Sequence, residues 1–393
     1  VLVAPVYLSI DNFLSMNAFE PVFWMGTVYF IILAINRNEP RFWLGAGVLA
    51  GLGIMNKYPM LLFIIGIFIG LLLTKERHFL SDKWFRIAGI ITFIIVLPNI
   101  IWQYQHNWSM IEVMQNVAVT GKNVVLSPLE FIVSQFMILH PFTAPVWIAG
   151  LIFLFFDEKG KHYRMFGIAY IVILIIMLIT NSKNYYLQAS YPMLFAGGAI
   201  FWERILQGKY VRWLKPASIA ILAIGGIIIA PMVLPVLSVD DFIIYQRTYG
   251  EPPKTEVGHV GPLPQMYSDM FGWPEMVETV AKVYNNLSLE EQSKVAILAR
   301  NYGEAGAIDF FGPRYGLPKA ISGHQNYYLW GPRNYTGEIL ILLGMSKEDT
   351  NLCRSVEESE NVGHPYAINY EHYTILICRD LKGGLQENWP KVK

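Results

Sequence analysis

Lys57 stands in Asn56-Lys57-Tyr58-Pro59, the polar break between apolar runs at 42–55 and 60–73. A lone ammonium in such surroundings suits one chemistry above others, the holding of an anion. As a helix the first run reaches only about 21 Å at about 1.5 Å per residue, short of a hydrocarbon core of about 30 Å. The turn carrying Lys57 is therefore expected below the membrane surface. A lysine at that depth is disfavoured by roughly 2.5–3.5 kcal/mol, so it faces a cavity or an anionic partner. The plainer alternative is an amine that snorkels to the headgroups.

Two more lysines, Lys122 and Lys183, share its side of the chain's topology. The composition is 54% hydrophobic and 15% charged, which points to a membrane protein. Candidate spans fall at 1–10 (partial), 19–35, 41–56, 58–74, 85–103, 130–155, 165–180, 187–203 and 216–238. One set of loops holds thirteen Lys or Arg, among them Arg37, Arg77, Arg164 and Arg212, and the other holds only Lys57, Lys122 and Lys183. The rule that positive charge stays inside places the first set in the cytoplasm. The three outward lysines suit an anionic headgroup such as a phosphate, or are simply solvated loop residues.

Residues 1–238 carry 16 Lys/Arg against 10 Asp/Glu, and 239–393 carry 14 against 20. The net charge of zero hides a basic membrane part and an acidic tail, with no sign of nucleic-acid binding. The chain begins at Val1 inside an apolar run, without a start methionine or signal peptide. The expectation is a polytopic domain whose N-terminal helices precede Val1.

Among the remaining polar residues, Trp102 and Trp108 fit an interfacial belt. Residues 109–117 have a loosely amphipathic pattern, as of a helix lying on the outer surface. His140, between apolar residues and beside Pro141, reads as a hydrogen-bonding group at a kink rather than a ligand. It is taken as the only deep ionisable group inside a span.

Residues 239–268 read as a linker and 269–393 as a small exported α/β domain on a partly parallel sheet. Helices are expected over 273–286 and 303–311, and strands over 294–299, 338–343 and 373–378. The stretch Arg300–Gly306 runs from strand end to helix start, where small anions often bind. Its glycine spacing is not that of a dinucleotide fingerprint. Residues 322–332 read as a long aromatic loop. Cys353 and Cys378 can pair in an oxidising compartment, the alternative being a buried free thiol at Cys378. Asn107, Asn286 and Asn334 sit in glycosylation-type sequons.

Three membrane segments, Asn56-Lys57-Tyr58, Pro98-Asn99 through Asn107-Trp108, and Asn184-Tyr185-Tyr186 through Gly197-Gly198, resemble the bacterial glycosyltransferase family 39. In the tail, Met270-Phe271-Gly272-Trp273, Asn301–Ala307, Phe311–Pro318 and Ser322-Gly323-His324 add to the likeness. That family includes relatives of the dolichyl-phosphate-mannose protein mannosyltransferases. The resemblance implies a C-type membrane glycosyltransferase fold, incomplete here, in the plasma (inner) membrane with its C-terminal domain exoplasmic. It implies transfer of a sugar from a polyprenyl-phosphate donor to a lipid, glycan or protein acceptor on the outer face. Matched to the family's motifs, Lys57, Tyr58, Lys183, Tyr185 and Tyr186 would hold the donor phosphate, with Lys122 a weaker match. The acidic base is expected upstream of Val1. Near Asn17 the family often has aspartate; Glu20 could keep an acidic role there. No cofactor is implied with certainty, no metal ligand stands out, and a divalent ion is left open. Two other classes compete, a polytopic transporter and a non-catalytic binding or assembly protein of the cell envelope.

Overall fold

A computed structural model describes residues 1–120, 124–250 and 261–392. The chain forms two compact units, Val1–Gly250 and Glu251–Lys393.

The first unit is helical. Its helices are α1 (Pro5–Ile10), α2 (Met16–Arg37), α3 (Trp43–Asn56), α4 (Pro59–Leu72), α5 (Lys83–Gln105) and α6 (Ser109–Thr120). They are followed by α7 (Pro128–Ile138), α8 (Ala144–Phe156), α9 (Arg164–Ile179), α10 (Tyr191–Ile205), α11 (Leu214–Val233) and α12 (Val239–Tyr249). Among the described residues, four helical segments are long and apolar enough to cross a membrane: α2, α5, Lys161–Ile179 and α11. The number rises to six if each of two bent pairs is one span. As the run lengths suggested, α3 and α4 are fourteen-residue helices on either side of Lys57 and Tyr58.

Packing relies on small residues. Lipid is as apolar as any side chain, so helices associate through close backbone approach rather than through a hydrophobic drive. On α4, Gly66 and Gly70 lie against the backbone of Ala169 and Met165 on α9, and a Cβ at Gly70 would come within 2.6 Å of the Met165 carbonyl oxygen. Between α8 and α10, a Cβ at Gly150 would collide with the Leu194 carbonyl, and one at Gly198 with that of Val146.

The expected span 130–155 is not one straight helix. Its halves, α7 and Pro141–Phe156, meet at 91°. His140 takes a left-handed φ of 76°, and Pro141 and Pro145 have no N–H to continue a helical ladder. The His140 Nδ1 accepts the Phe142 N–H at 3.2 Å, the kink-satisfying role expected of it. The stretch 239–249, expected as linker, is α12. Ser238 caps it by accepting the Asp241 N–H at 3.3 Å, and Asp240 and Asp241 occupy its first turn, where carboxylates are favoured.

The second unit contains α13 (Gln265–Ser268), α14 (Trp273–Asn285), α15 (Leu289–Gln292), β1 (Val295–Ala299), α16 (Tyr302–Phe311), β2 (Ile321–Ser322), α17 (Asn326–Trp330), β3 (Ile339–Leu343), β4 (Cys353–Val362), β5 (Tyr373–Leu381) and α18 (Gly384–Asn388). The sheet order is β2-β1-β3-β5-β4. β1 is parallel to β2 and β3, while β5 runs antiparallel to β3 and β4. The partly parallel sheet is thus as expected. Met276, Val277, Val280 and Val283 of α14 pack on Val295, Ile297, Ile341 and Ile377. Leu298, Leu340, Leu376 and Trp389 fill the opposite face. Two strands, β2 and β4, and the helix α17 inside the expected loop 322–332 were not anticipated. Cys353 on β4 and Cys378 on β5 are joined in a disulfide.

Candidate functional site

Lys57 is the last position of α3's hydrogen-bonding pattern. Its N–H reaches the Gly53 carbonyl at 2.9 Å, but its backbone is already extended, with φ −162° and ψ 136°. Pro59 then opens α4, where a missing N–H costs nothing. The break swings the Lys57 side chain towards the start of α2, and Asn56 Nδ2 donates to the Met16 carbonyl at 2.8 Å. The amine donates to Asn17 Oδ1 at 2.6 Å and to Glu20 Oε2 at 3.1 Å. It also lies 3.9 Å above the Tyr186 ring and 5.7 Å from that of Tyr185. Only 9% of the Lys57 side chain and 1% of Glu20's is exposed. The snorkelling alternative is therefore set aside: this amine points inward, to an anionic partner.

The tyrosines belong to a 3-10 turn, Asn184–Ser190, held from two sides. From one side, Gln135 Nε2 donates to the Asn184 carbonyl at 3.2 Å, and Gln135 Oε1 accepts from Tyr191 OH at 3.1 Å. Tyr191 OH in turn meets Tyr170 OH at 3.1 Å. From the other side, Gln188 Nε2 donates to the Asn17 carbonyl at 3.2 Å, and Tyr7 OH donates to the Gln188 carbonyl at 2.7 Å. Buried polar chains of this kind fix a single arrangement because every broken link strands a polar group. Two acceptors are left over. Glu20 Oε1 and Gln188 Oε1 are buried without a hydrogen-bond partner.

The fold therefore brings Glu20, Lys57, Tyr185 and Tyr186 together. Lys183 is close enough for its charge to be felt at Lys57. Tyr58 is turned elsewhere: its hydroxyl donates to Asn99 Oδ1 at 2.9 Å and accepts from Gln103 Nε2 at 3.2 Å. Lys122 lies outside the described residues. His140 is not the only ionisable group within a span, since Glu20 sits inside α2 and is more deeply involved. An acidic residue near the start of an apolar helix was the available signal. Among the described residues, no three His, Cys, Asp or Glu are grouped to hold a metal ion.

The second unit does not offer the anion site expected at Arg300–Gly306. The N–H groups opening α16 are already taken, those of Gly303 and Glu304 by Asn301 Oδ1 at 2.8 and 3.0 Å and that of Tyr302 by His324 Nδ1 at 3.4 Å.

Several long apolar helices, closely packed through glycine and carrying a buried charge cluster, make the first unit that of a multi-pass membrane protein. Residues 1–102 match the model of the dolichyl-phosphate-mannose-protein mannosyltransferase family, whose members are membrane-integral glycosyltransferases. The match takes in Asn17, Glu20, Lys57 and Tyr58 and stops before Lys183, Tyr185 and Tyr186. No curated protein and no solved structure matches the chain.

Proposed function

We propose that this chain serves a membrane glycosyltransferase of the mannosyltransferase type, one that takes a sugar from a polyprenyl-phosphate donor at the outer face of the membrane. The observation that carries the proposal is the Lys57 amine, walled in by Asn17, Glu20 and Tyr186 at a break between short apolar helices. A buried ammonium beside a second lysine and two phenols suits a lipid-linked phosphate, which it would grip through charge-assisted hydrogen bonds. The same contacts strengthen as negative charge gathers on the phosphate when it leaves the sugar. Glu20 is the counterion that occupies Lys57 before the phosphate arrives. The orphaned Glu20 Oε1 and Gln188 Oε1 are acceptors for hydroxyl groups of a substrate. The acceptor's proton is assigned to no residue of this chain. The outward orientation draws support from the loop charges and from the Cys353–Cys378 disulfide, a bond that persists in oxidising compartments.

The test is transfer of mannose from polyprenyl-phosphate mannose by the full-length protein in detergent. Removing Lys57 alone would strand the Glu20 carboxylate, so Lys57→Met is made together with Glu20→Gln. The expected result is a folded, monodisperse protein whose transfer rate falls on the order of 10²–10³-fold. Undiminished transfer by the double variant would remove Lys57 from the site.

A second reading, a transporter, draws on the 91° break at His140, since discontinuous helices often border transport pathways. It requires uptake of free sugar or lipid phosphate into vesicles holding the purified protein; transfer without uptake rejects it.

A further inference from the structure

Glu304 lies in the motif Asn301–Ala307, to which the proposed reaction gives no task. The residue opens α16, just past the end of β1. It is fully buried, and Glu371, just before β5, is 7% exposed. The two carboxyls are close enough that each influences the other's titration. Asn301 bridges them, its N–H donating to Glu304 Oε2 at 3.1 Å and its Nδ2 to Glu371 Oε1 at 3.0 Å. Each carboxyl keeps one buried oxygen without a partner, Glu304 Oε1 and Glu371 Oε2. Backbone closes on Glu304 as well, for a Cβ at Gly344 would come within 2.7 Å of its Oε1.

Two acceptors facing each other in a dry site are unfavourable unless one of them becomes a donor. We propose that Glu304 and Glu371 share a single proton, and that this proton clasps the start of β5 to the β1–α16 junction. The proton turns one carboxyl into an O–H that donates to the other carboxylate, so the pair carries one negative charge instead of two.

The surroundings agree. Burial first, and then the Glu371 carboxylate, pushes the Glu304 carboxyl up to about 8, and burial raises Glu371 too. The facing charged and titratable groups are Arg300 at the end of β1, His372 and Tyr373. Arg300 donates from Nη2 to the Tyr370 carbonyl at 2.8 Å and stacks on the Tyr370 ring. Burial, with the carboxylates adding to it, keeps the Tyr373 hydroxyl protonated. A cavity of about 10 Å³ beside Glu371, lined by Trp273, Met276 and His364, has room for a water. A metal ion would meet the donor end of Asn301 and the positive charge of Arg300, so a proton is the better fit.

A carboxyl titrating higher in the folded state than unfolded holds a proton that the unfolded chain has released. The stability it confers is present in full below its ordinary value of 4.5 and is lost as pH rises to about 8. Over that window the local unfolding constant should rise by about tenfold per pH unit. The experiment is hydrogen exchange of the full-length protein, corrected for intrinsic exchange, read on peptides spanning 300–311 and 369–379. The expected result is a steady loss of protection from about pH 5 to about pH 8, and a much flatter profile in Glu304→Gln. Glu371→Gln should flatten it likewise, and it decides the matter if Glu304→Gln fails to fold. Constant protection across the window, an unchanged slope in Glu371→Gln, or a profile that shifts with EDTA would each overturn the shared proton.

Discussion

Glu20 and Glu304 are both sealed from solvent, and the molecule neutralises them in opposite ways. In the membrane unit a lysine is brought to the carboxylate, so both charges survive in a place that disfavours them. In the C-terminal unit the neighbour is another carboxyl, and a proton does the neutralising. The difference teaches what each site is ready to do. A retained cation can be handed from an internal carboxylate to an incoming phosphate. A shared proton has nothing to offer a ligand but can hold two chain segments together, and its strength follows the pH of the surrounding solution.

The comparison breaks most readily at Lys57. Lys57→Met should destabilise the membrane unit by about 3–5 kcal/mol, because it leaves a buried carboxylate without countercharge. Adding Glu20→Gln should return most of that stability while transfer stays lost. Thermal unfolding and transfer measured on the same preparations check both halves, and restored transfer would make the pair merely structural. Next in size is replacement of both cysteines with serine. It should cost the C-terminal unit about 2–4 kcal/mol at every pH, leaving the slope of its pH profile unchanged; a changed slope would tie the disulfide to the carboxyl pair. Gly150→Val should cost about 1–3 kcal/mol by overpacking α8 against α10, seen as a lower melting temperature in detergent. The smallest effect belongs to Tyr58→Phe. Losing its bonds to Asn99 and Gln103 should cost about 1 kcal/mol with donor affinity unaltered, and a weakened affinity for polyprenyl phosphate would return Tyr58 to the site.

Much of this molecule could be read in its sequence where the signal was local. Apolar runs marked the long helices of the first unit, and the polar break at 56–59 located Lys57 and the shortness of the helices around it. Val295–Ala299 and Ile339–Leu343, buried along their whole length, announced themselves as uninterrupted apolar runs. β4 did not, because Cys353–Val362 is a mostly exposed edge strand rich in charge and lacks the alternation that marks a half-buried one. The partners were the least legible part. Glu20 precedes Lys57 by 37 positions and Glu371 follows Glu304 by 67, and only the packing of whole elements sets either pair side by side. The contacts of Tyr58 were illegible for the same reason, since adjacency to Lys57 in the chain says nothing about which way the ring turns at a helix break.

β4 has a consequence of its own. Among the described residues it is the last strand of the sheet, and strands at such edges promote zipping between molecules. Here Arg354, Glu357, Glu358 and Glu360 line the strand, and its register with β5 slips between Glu358 and Asn361. A second copy offering its own β4 would bring three further carboxylates and a ladder out of step. Many copies can therefore crowd one patch of membrane while each keeps its sheet to itself.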